Sequence, residues 1–249
     1  MTSMGGGTFA SRGLALCGEA ALAAAAELAR RLCHAAAALW CTGPEGVRVE
    51  RGALRAADGR SLTLAQAGEL LHYKPHLLPP EARGAAAATV QVSSRHPFLL
   101  ANGAQASFLE VDRETGAVCL LGHWVVEDCG RVVNPLLADE QLRGGVIQGI
   151  GAALWEECRY DERGQLLTGT LSDYLVPMAA ELPDIVIRHI ETPVPDSLLG
   201  GKGIGEAGTV GAAAAVGNAV NDALRPLGGE VTEQPYTPER ILRALGAVP

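Results

Sequence analysis

Lysine is nearly absent: Lys74 and Lys202 are the only two in 249 residues, and the formal net charge is −8. Phosphate backbones and anionic bilayers are bound by clustered basic surface, so neither nucleic acid nor membrane is expected as a partner. Cysteine pairs are missing too. Cys17, Cys33, Cys41, Cys119, Cys129 and Cys158 contain no C-x-x-C spacing. Zinc and iron–sulfur ligation use such close pairs, so neither is expected here. The opening MTSMGGG has no basic segment followed by an apolar one. No secretory signal is read, which leads to an expectation of reduced thiols and a cytoplasmic location. Long apolar runs are also lacking. Residues 144–155 and 207–220 are short, rich in glycine and alanine, and interrupted by Gln148 or Asn218, so no membrane span is expected.

What is present describes a folded chain. Hydrophobic residues make up 48% and charged residues 19%, which excludes a disordered polymer, and the length suffices for a full core. Leu22, Ala26, Ala29, Cys33, Ala36 and Trp40 recur at helical spacing and predict a helix over 19–40. Residues 47–50 and 53–56 flank Arg51-Gly52 as a hairpin, and Thr63 with Gln66 forms a capping box for a short helix to about residue 72. His72 and His76 have metal-like spacing, but Pro75 between them breaks the helix that would align them, so they read as surface loop.

Strands are expected at 89–93 and 106–111 with a polar turn at Asn102-Gly103 between them. A strong hairpin follows from 108–112 and 118–127 around RETG at 113–116. A helix over 137–157 carries GGVIQGIG at 144–151. Each glycine inside a helix costs roughly 1 kcal/mol against alanine, so close packing or a ligand must compensate. Gln148 in its middle is either a buried amide at a helix contact or a ligand-reading group. A hairpin at 158–168, strands at 185–191 and 231–233, and helices at 207–224 and 238–245 complete an α+β chain of mixed short sheets with packed Ala/Gly-rich helices. No linker or repeat divides it, so one continuous body is expected.

The stretch GGKGIGEAGTVG at 200–211 stands out. Its glycines permit positive φ and close approach, and Glu206 falls near the first turn of a helix, where the dipole favours negative charge. Gly203-x-Gly205-x-x-Gly208 satisfies the dinucleotide-binding pattern. That mechanism needs a strand directly before the loop, and Pro193 and Pro195 stand there instead, so a nicotinamide dinucleotide-binding module is the weaker alternative. A phosphate-binding P-loop fails because Gly203, not serine or threonine, follows Lys202. Glu206 is then either a general base or a glutamate that only offsets the dipole.

Five segments, in order, resemble one family. TFASR at 8–12, VEDCGRVVNP at 126–135, GGVIQGIG at 144–151, LSDYLVP at 171–177 and GKGIGEAGTVG at 201–211 are similar to segments of the large, molybdenum-binding subunits of xanthine dehydrogenases, aldehyde oxidases and carbon monoxide dehydrogenases. The similarity extends from about residue 6 to 245. It implies an aldehyde oxidase-type molybdopterin-binding domain and oxidative hydroxylation of an aldehyde, an N-heterocycle or carbon monoxide. It also implies a molybdopterin cofactor, in its cytosine dinucleotide form, with no metal ligand from side chains. On the resemblance Glu206 is the base that deprotonates a hydroxyl on molybdenum. Gln148 contacts the cofactor, with Thr8, Ser11, Arg12, Lys202, Gly203, Gly205 and Ser172 as further cofactor-binding residues. Iron–sulfur and FAD subunits would carry electrons away. The family's subunit is much longer, so residues 1–249 are expected to be its C-terminal portion: a fragment, a truncated gene product or one piece of a split subunit that binds cofactor poorly alone. A non-catalytic remnant or assembly partner is the alternative.

Overall fold

A computed structural model describes residues 7–84, 87–90, 99–195 and 197–249. Where sequence suggested one body, the chain packs as two compact units, Leu16–Arg95 and a larger one made of His96–Pro249 with the N-terminal residues to Ala15. Low-complexity composition is therefore not needed to end a unit. A change in what the apolar residues pack against is enough.

In the smaller unit, helix α1 (Glu19–Leu39) precedes an antiparallel meander of β1 (Val47–Glu50), β2 (Ala53–Ala56) and β3 (Ser61–Thr63), followed by helix α2 (Leu64–Tyr73). Arg51 and Gly52 both have positive φ, as a two-residue hairpin turn requires. The capping box is formed: Gln66 N–H donates to Thr63 Oγ1 at 3.1 Å, and Thr63 N–H to Gln66 Oε1 at 3.0 Å. The expected stripe on α1 holds only in part. Ala35, Ala36 and Ala37 are buried, whereas Leu22 is 43% exposed, because the core of this unit lies against the C-terminal half of the helix. The 89–93 strand is not formed at Thr89 and Val90, and its remainder lies outside the described residues.

The larger unit is built on a three-stranded sheet, ordered β4 (Asn102–Val111), β5 (Val118–Asp128) and β6 (Ile185–His189). β4 and β5 are antiparallel, and β6 runs parallel to β5. The expected turn at Asn102-Gly103 is instead the start of β4. Asn102 pairs with Asp128 and Gly103 with Glu127, so the ten-residue ladder overrides local turn chemistry. Helix α3 (Pro135–Leu154) begins two residues before its expected start, capped by the Asn134 side chain. Helix α4 (Ala207–Leu224) has the expected bounds, and α5 (Pro238–Ala244) closes the chain. The expected 231–233 strand is absent because Asn221 takes a strand's place. Its amide donates to Val231 O at 2.9 Å and accepts from Val231 N–H at 2.8 Å. The hairpin at 158–168 reduces to one bridge, Tyr160 to Leu166.

Helices α3 and α4 pack on each other and α4 packs on β4, around Val146, Ile150, Val216, Val220 and Leu224, all fully buried. The α3 glycines make this possible. A Cβ at Gly145 would lie 3.1 Å from Gly208 Cα, and one at Gly208 would lie 2.5 Å from Leu142 O. Backbone thus meets backbone across the pair. Gly144, one residue along, faces open space.

Substitution separates the two kinds of glycine. Gly208→Ala should lower stability by roughly 1–3 kcal/mol through overpacking, and Gly144→Ala should raise it by about 0.5–1 kcal/mol through helix propensity. Urea unfolding of the two variants checks both signs.

Candidate active site

The segment Cys129–Lys202 is tied together before α4 begins. Lys202 N–H donates to Cys129 O at 2.7 Å and Arg131 N–H to Gly200 O at 3.0 Å, with Gly130 and Gly200 both at positive φ. Below this pairing lies an ion pair, Lys202 Nζ to Asp128 Oδ2 at 3.0 Å, with side chains only 13% and 9% exposed. Burial would raise the Asp128 pKa. Hydrogen bonds from Thr192 and Gly130 and the Lys202 ammonium outweigh it and hold the carboxyl well below the usual range. The ammonium of Lys202 therefore fastens the loop to the end of β5.

From Gly203 the loop runs against Ser11. Ala10 and Ser11 both adopt positive φ, and a Cβ at Gly203 would collide with the Ser11 carbonyl. This close approach places the Ser11 hydroxyl at the start of α4. It accepts from Glu206 N–H at 3.1 Å and donates to Glu206 Oε2 at 2.7 Å. Glu206 is the N-cap residue of α4, and its other carboxylate oxygen makes no hydrogen bond among the described residues. Gln141 Nε2 donates to Gly205 O at 2.9 Å. The Thr209 hydroxyl sits 3.0 Å from Gly145 O and 3.3 Å from Gln148 Oε1. One face of α3 thus holds the loop and the first turn of α4.

Two cavities adjoin this loop. One, of about 470 Å³, is lined by Thr8, Ser11, Arg131, Asn134, Gln141 and the 202–205 backbone, among others. The N–H groups of Gly203, Ile204 and Gly205 make no hydrogen bond among the described residues, and Arg131 there makes no ion pair. The other, of about 260 Å³, has Ser11, Gly203, Glu206, Gln105 and Glu127 in its wall.

Behind Glu206 runs a buried polar chain. Gln105 Nε2 donates to Gly208 O at 3.0 Å, which turns Gln105 Oε1 toward His123 Nε2 at 3.0 Å, and His123 Nδ1 lies 2.9 Å from Ser107 Oγ. Since Gln105 presents its oxygen, the His123 proton resides on Nε2 and Ser107 donates to Nδ1. His123 is fully buried, and burial lowers its pKa to about 4. The imidazole is therefore neutral, and the sheet holds the first turn of α4 through it.

The expected site residues divide accordingly. Ser11, Lys202, Gly203, Gly205 and Glu206 meet in one loop, and Thr8 lines its larger cavity. Gln148 is exposed, not buried, with its amide against Thr209. Arg12 donates to Gly7 O and stacks over Phe9 at 3.8 Å. Ser172 lies in an exposed turn with its N–H on Thr170, and lines neither cavity. Sequence reasoning missed Gln105, His123, Glu127, Asp128, Arg131 and Gln141. For the first three a signal existed: polar residues at core-facing positions of strands with period-two alternation. Among the described residues no cluster of His, Cys, Asp and Glu could hold a metal ion, and no helix is long and apolar enough to cross a membrane. The described residues of 190–206, the segment before the loop, contain no strand, so the strand–loop–helix unit of a dinucleotide fold is not formed among them.

Glycine loops, unpaired amide donors and a carboxylate at a helix start around paired cavities are the features of a cofactor-binding domain. The chain belongs to the molybdopterin cofactor-binding domain family, whose model matches residues 1–183. It is 37% identical over 243 residues to the nicotine 6-hydroxylase large subunit of Paenarthrobacter nicotinovorans, covering 96% of this chain and 30% of that one. It is 28% identical over 242 residues to the carbon monoxide dehydrogenase large chain of Hydrogenophaga pseudoflava, covering 96% and 30%. The crystal structure of quinoline 2-oxidoreductase from Pseudomonas putida 86 superimposes with a TM-score of 0.85 at 37% identity, over 98% of this chain and 31% of that one. The chain thus spans about 30% of the length of these relatives. Glu206 lies beyond the range that the family model matches.

Two titrations test the buried groups. A His123 pKa below the unfolded value of ~6.5 means the unfolded chain takes up the proton first. Stability should fall as pH drops from about 6.5 toward 4, by up to ~1.4 kcal/mol per pH unit. His123→Gln should remove this part of the slope in urea unfolding at pH 4 to 7. Asp128 is depressed too, so its contribution is full above the unfolded value of ~3.9 and lost as pH falls further. Asp128→Asn, which leaves Lys202 buried and unpaired, should cost about 3–5 kcal/mol at pH 7.

Proposed function

We propose that the chain forms part of the catalytic subunit of a molybdenum-dependent hydroxylase, with Glu206 as the general base. The observation that carries this reading is the placement of the Glu206 carboxylate in a cavity wall. Its Oε2 is held by Ser11 at 2.7 Å, and its Oε1 has no partner among the described residues. A carboxylate fixed at one oxygen and open at the other can take a proton without first breaking its own support.

The donors of the neighbouring cavity fit a molybdopterin. Its phosphate and carbonyl oxygens call for amide donors and positive charge, which Gly203, Ile204 and Gly205 N–H and Arg131 supply at the start of a helix. Thr8, Ser11 and Gln141 add polar side chains to the same wall. Gln148, with its amide 3.3 Å from the Thr209 hydroxyl, is in reach of the same first turn of α4. Arg12 and Ser172 remain assigned to the cofactor by family resemblance. When bound, the cofactor supplies the two-electron redox chemistry and the transferred oxygen. In this reading Glu206 Oε1 receives the proton, Ser11 orients the carboxylate, and the Lys202–Asp128 pair keeps the loop closed.

The remaining assignments belong to the same proposal. The cofactor is the cytosine dinucleotide form, the location is the cytoplasm, and iron–sulfur and flavin subunits accept the electrons. The substrate is a small aldehyde, an aromatic N-heterocycle or carbon monoxide. Relatives named as large subunits or large chains of a nicotine hydroxylase and a carbon monoxide dehydrogenase support a multi-subunit setting.

Glu206→Gln keeps an acceptor for Ser11 and removes the base. In the assembled enzyme it should leave molybdenum content near normal while turnover drops by a factor of 10³ or more, within the span that acid–base and positioning effects together cover. Metal analysis and steady-state kinetics check it. Unchanged turnover would overturn the assignment. Stoichiometric molybdenum with activity would exclude a non-catalytic remnant.

A further inference from the structure

A line of hydrogen bonds joins the interior of the sheet to the backbone that follows Glu206. His123 on β5 is fully buried and lines neither cavity. Its Nδ1 lies 2.9 Å from Ser107 Oγ, and its Nε2 lies 3.0 Å from Gln105 Oε1. The other end of the Gln105 amide reaches Gly208 O at 3.0 Å and Ala207 O at 3.4 Å. Carbonyl oxygens only accept, so the NH2 end of Gln105 must face α4 and its oxygen must face the imidazole. Gly211 makes room for this arrangement, since a Cβ there would lie 3.0 Å from Gln105 Cδ and Nε2. Gln105 lines the smaller cavity, but both ends of its amide are taken. It is placed to hold α4, not to read a ligand.

Ala207 and Gly208 are the first two residues of α4 and directly follow Glu206. Helix starts fray, and a first turn that frays swings the side chain at its cap. Ser11 holds Glu206 itself, at its N–H and at Oε2. The peptide after Glu206 lies outside that grip, and Gln105 fixes it from β4. An apolar side chain at position 123 would complete the core beside Val125 and Ile185, with no polar group to desolvate. The imidazole instead supplies a satisfied polar link, and such networks rigidify one arrangement of the elements they join.

We propose that His123 and Gln105 are positioning residues for the base: the imidazole fixes the Gln105 amide, the amide fixes the first turn of α4, and that turn aims the Glu206 carboxylate into the cavity. This rests on the reading of Glu206 as the general base. Neither residue takes or gives a proton in the reaction. Their contribution is to kcat, because a displaced base meets a bound substrate in the wrong geometry. Misplacement of a reacting group by about 1 Å costs a factor of about 10², and with Ser11 still in place a loss of about tenfold is expected.

The assembled holoenzyme is assayed on quinoline, benzaldehyde and carbon monoxide, and the compound turned over fastest is followed. Turnover is expressed per bound molybdenum, so that a variant merely less stable or poorer in cofactor shows no change. His123→Leu should lower kcat about tenfold and leave KM within about twofold of the parent. His123→Gln keeps an N–H for Gln105 Oε1 and should hold kcat within about threefold. Equal losses in the two variants would mean that the imidazole itself exchanges protons, and would overturn the proposal. So would unchanged kcat per molybdenum in His123→Leu, or a loss confined to KM. Should His123→Leu fail to fold by circular dichroism, Gln105→Leu cuts the same link at its other end. The same tenfold loss of kcat is expected there, and an unchanged value overturns the proposal equally. Glu206→Gln separates the two levels. Normal turnover in that variant, or turnover of none of the three compounds by the parent, defeats the reading of Glu206 as the base. Lost turnover there with unchanged kcat in His123→Leu defeats only the positioning role.

Discussion

The contact between Gly145 and Gly208 governs the architecture of the larger unit. Two helices can approach at backbone distance only where neither carries a side chain, and here a Cβ on one would lie 3.1 Å from the Cα of the other. That approach sets the height of α4 against α3. It brings Gln141 to Gly205 O and Thr209 to Gly145 O, so the loop before α4 is anchored from one side by α3. Side-chain packing of the usual kind, Val146 and Ile150 against Val216 and Val220, continues the same interface below it.

From the other side the loop is anchored by β5 and the segment after it. The Lys202–Asp128 pair and the backbone bonds of Lys202 and Arg131 fix its beginning, and the chain from Ser107 through His123 and Gln105 fixes the turn that follows it. Glu206 sits between these supports. A side chain on a loop is ordinarily less well positioned than one on a helix or strand. This one gains definition because the residues on either side are tied to different elements, Gly205 O to α3 through Gln141 and Ala207 O to β4 through Gln105. Glu127 precedes Asp128 at the same end of β5 and points to the opposite face of the strand.

Much of this could be read from residues alone. The bounds of α4, the Thr63–Gln66 capping box, the β4–β5 hairpin and the compensated glycines of α3 all followed from periodicity, caps and turn chemistry. Each is a local property in which the signal lies within a few residues of its effect. Misreadings arose where distant segments decided. Asn102-Gly103 has turn composition but is claimed by the far end of β5. Residues 231–233 have strand composition but meet the Asn221 amide, not a neighbouring strand. Gln148 sits in an apolar stretch yet lies on the exposed side of the α3–α4 seam.

By itself the sequence determined the glycine-dense loop, its carboxylate and the helix it opens, because φ > 0 and helix capping are written into single residue types. The family, too, was legible in five ordered segments. Which groups face Glu206 was decided only in three dimensions. Ser11 reaches it across 195 positions of chain, Gln105 reaches Gly208 across 103, and Glu127 joins its cavity through strand pairing with Gly103. Hydrogen bonds and burial at such separations depend on how helices and strands pack, and no pattern along a single segment encodes that.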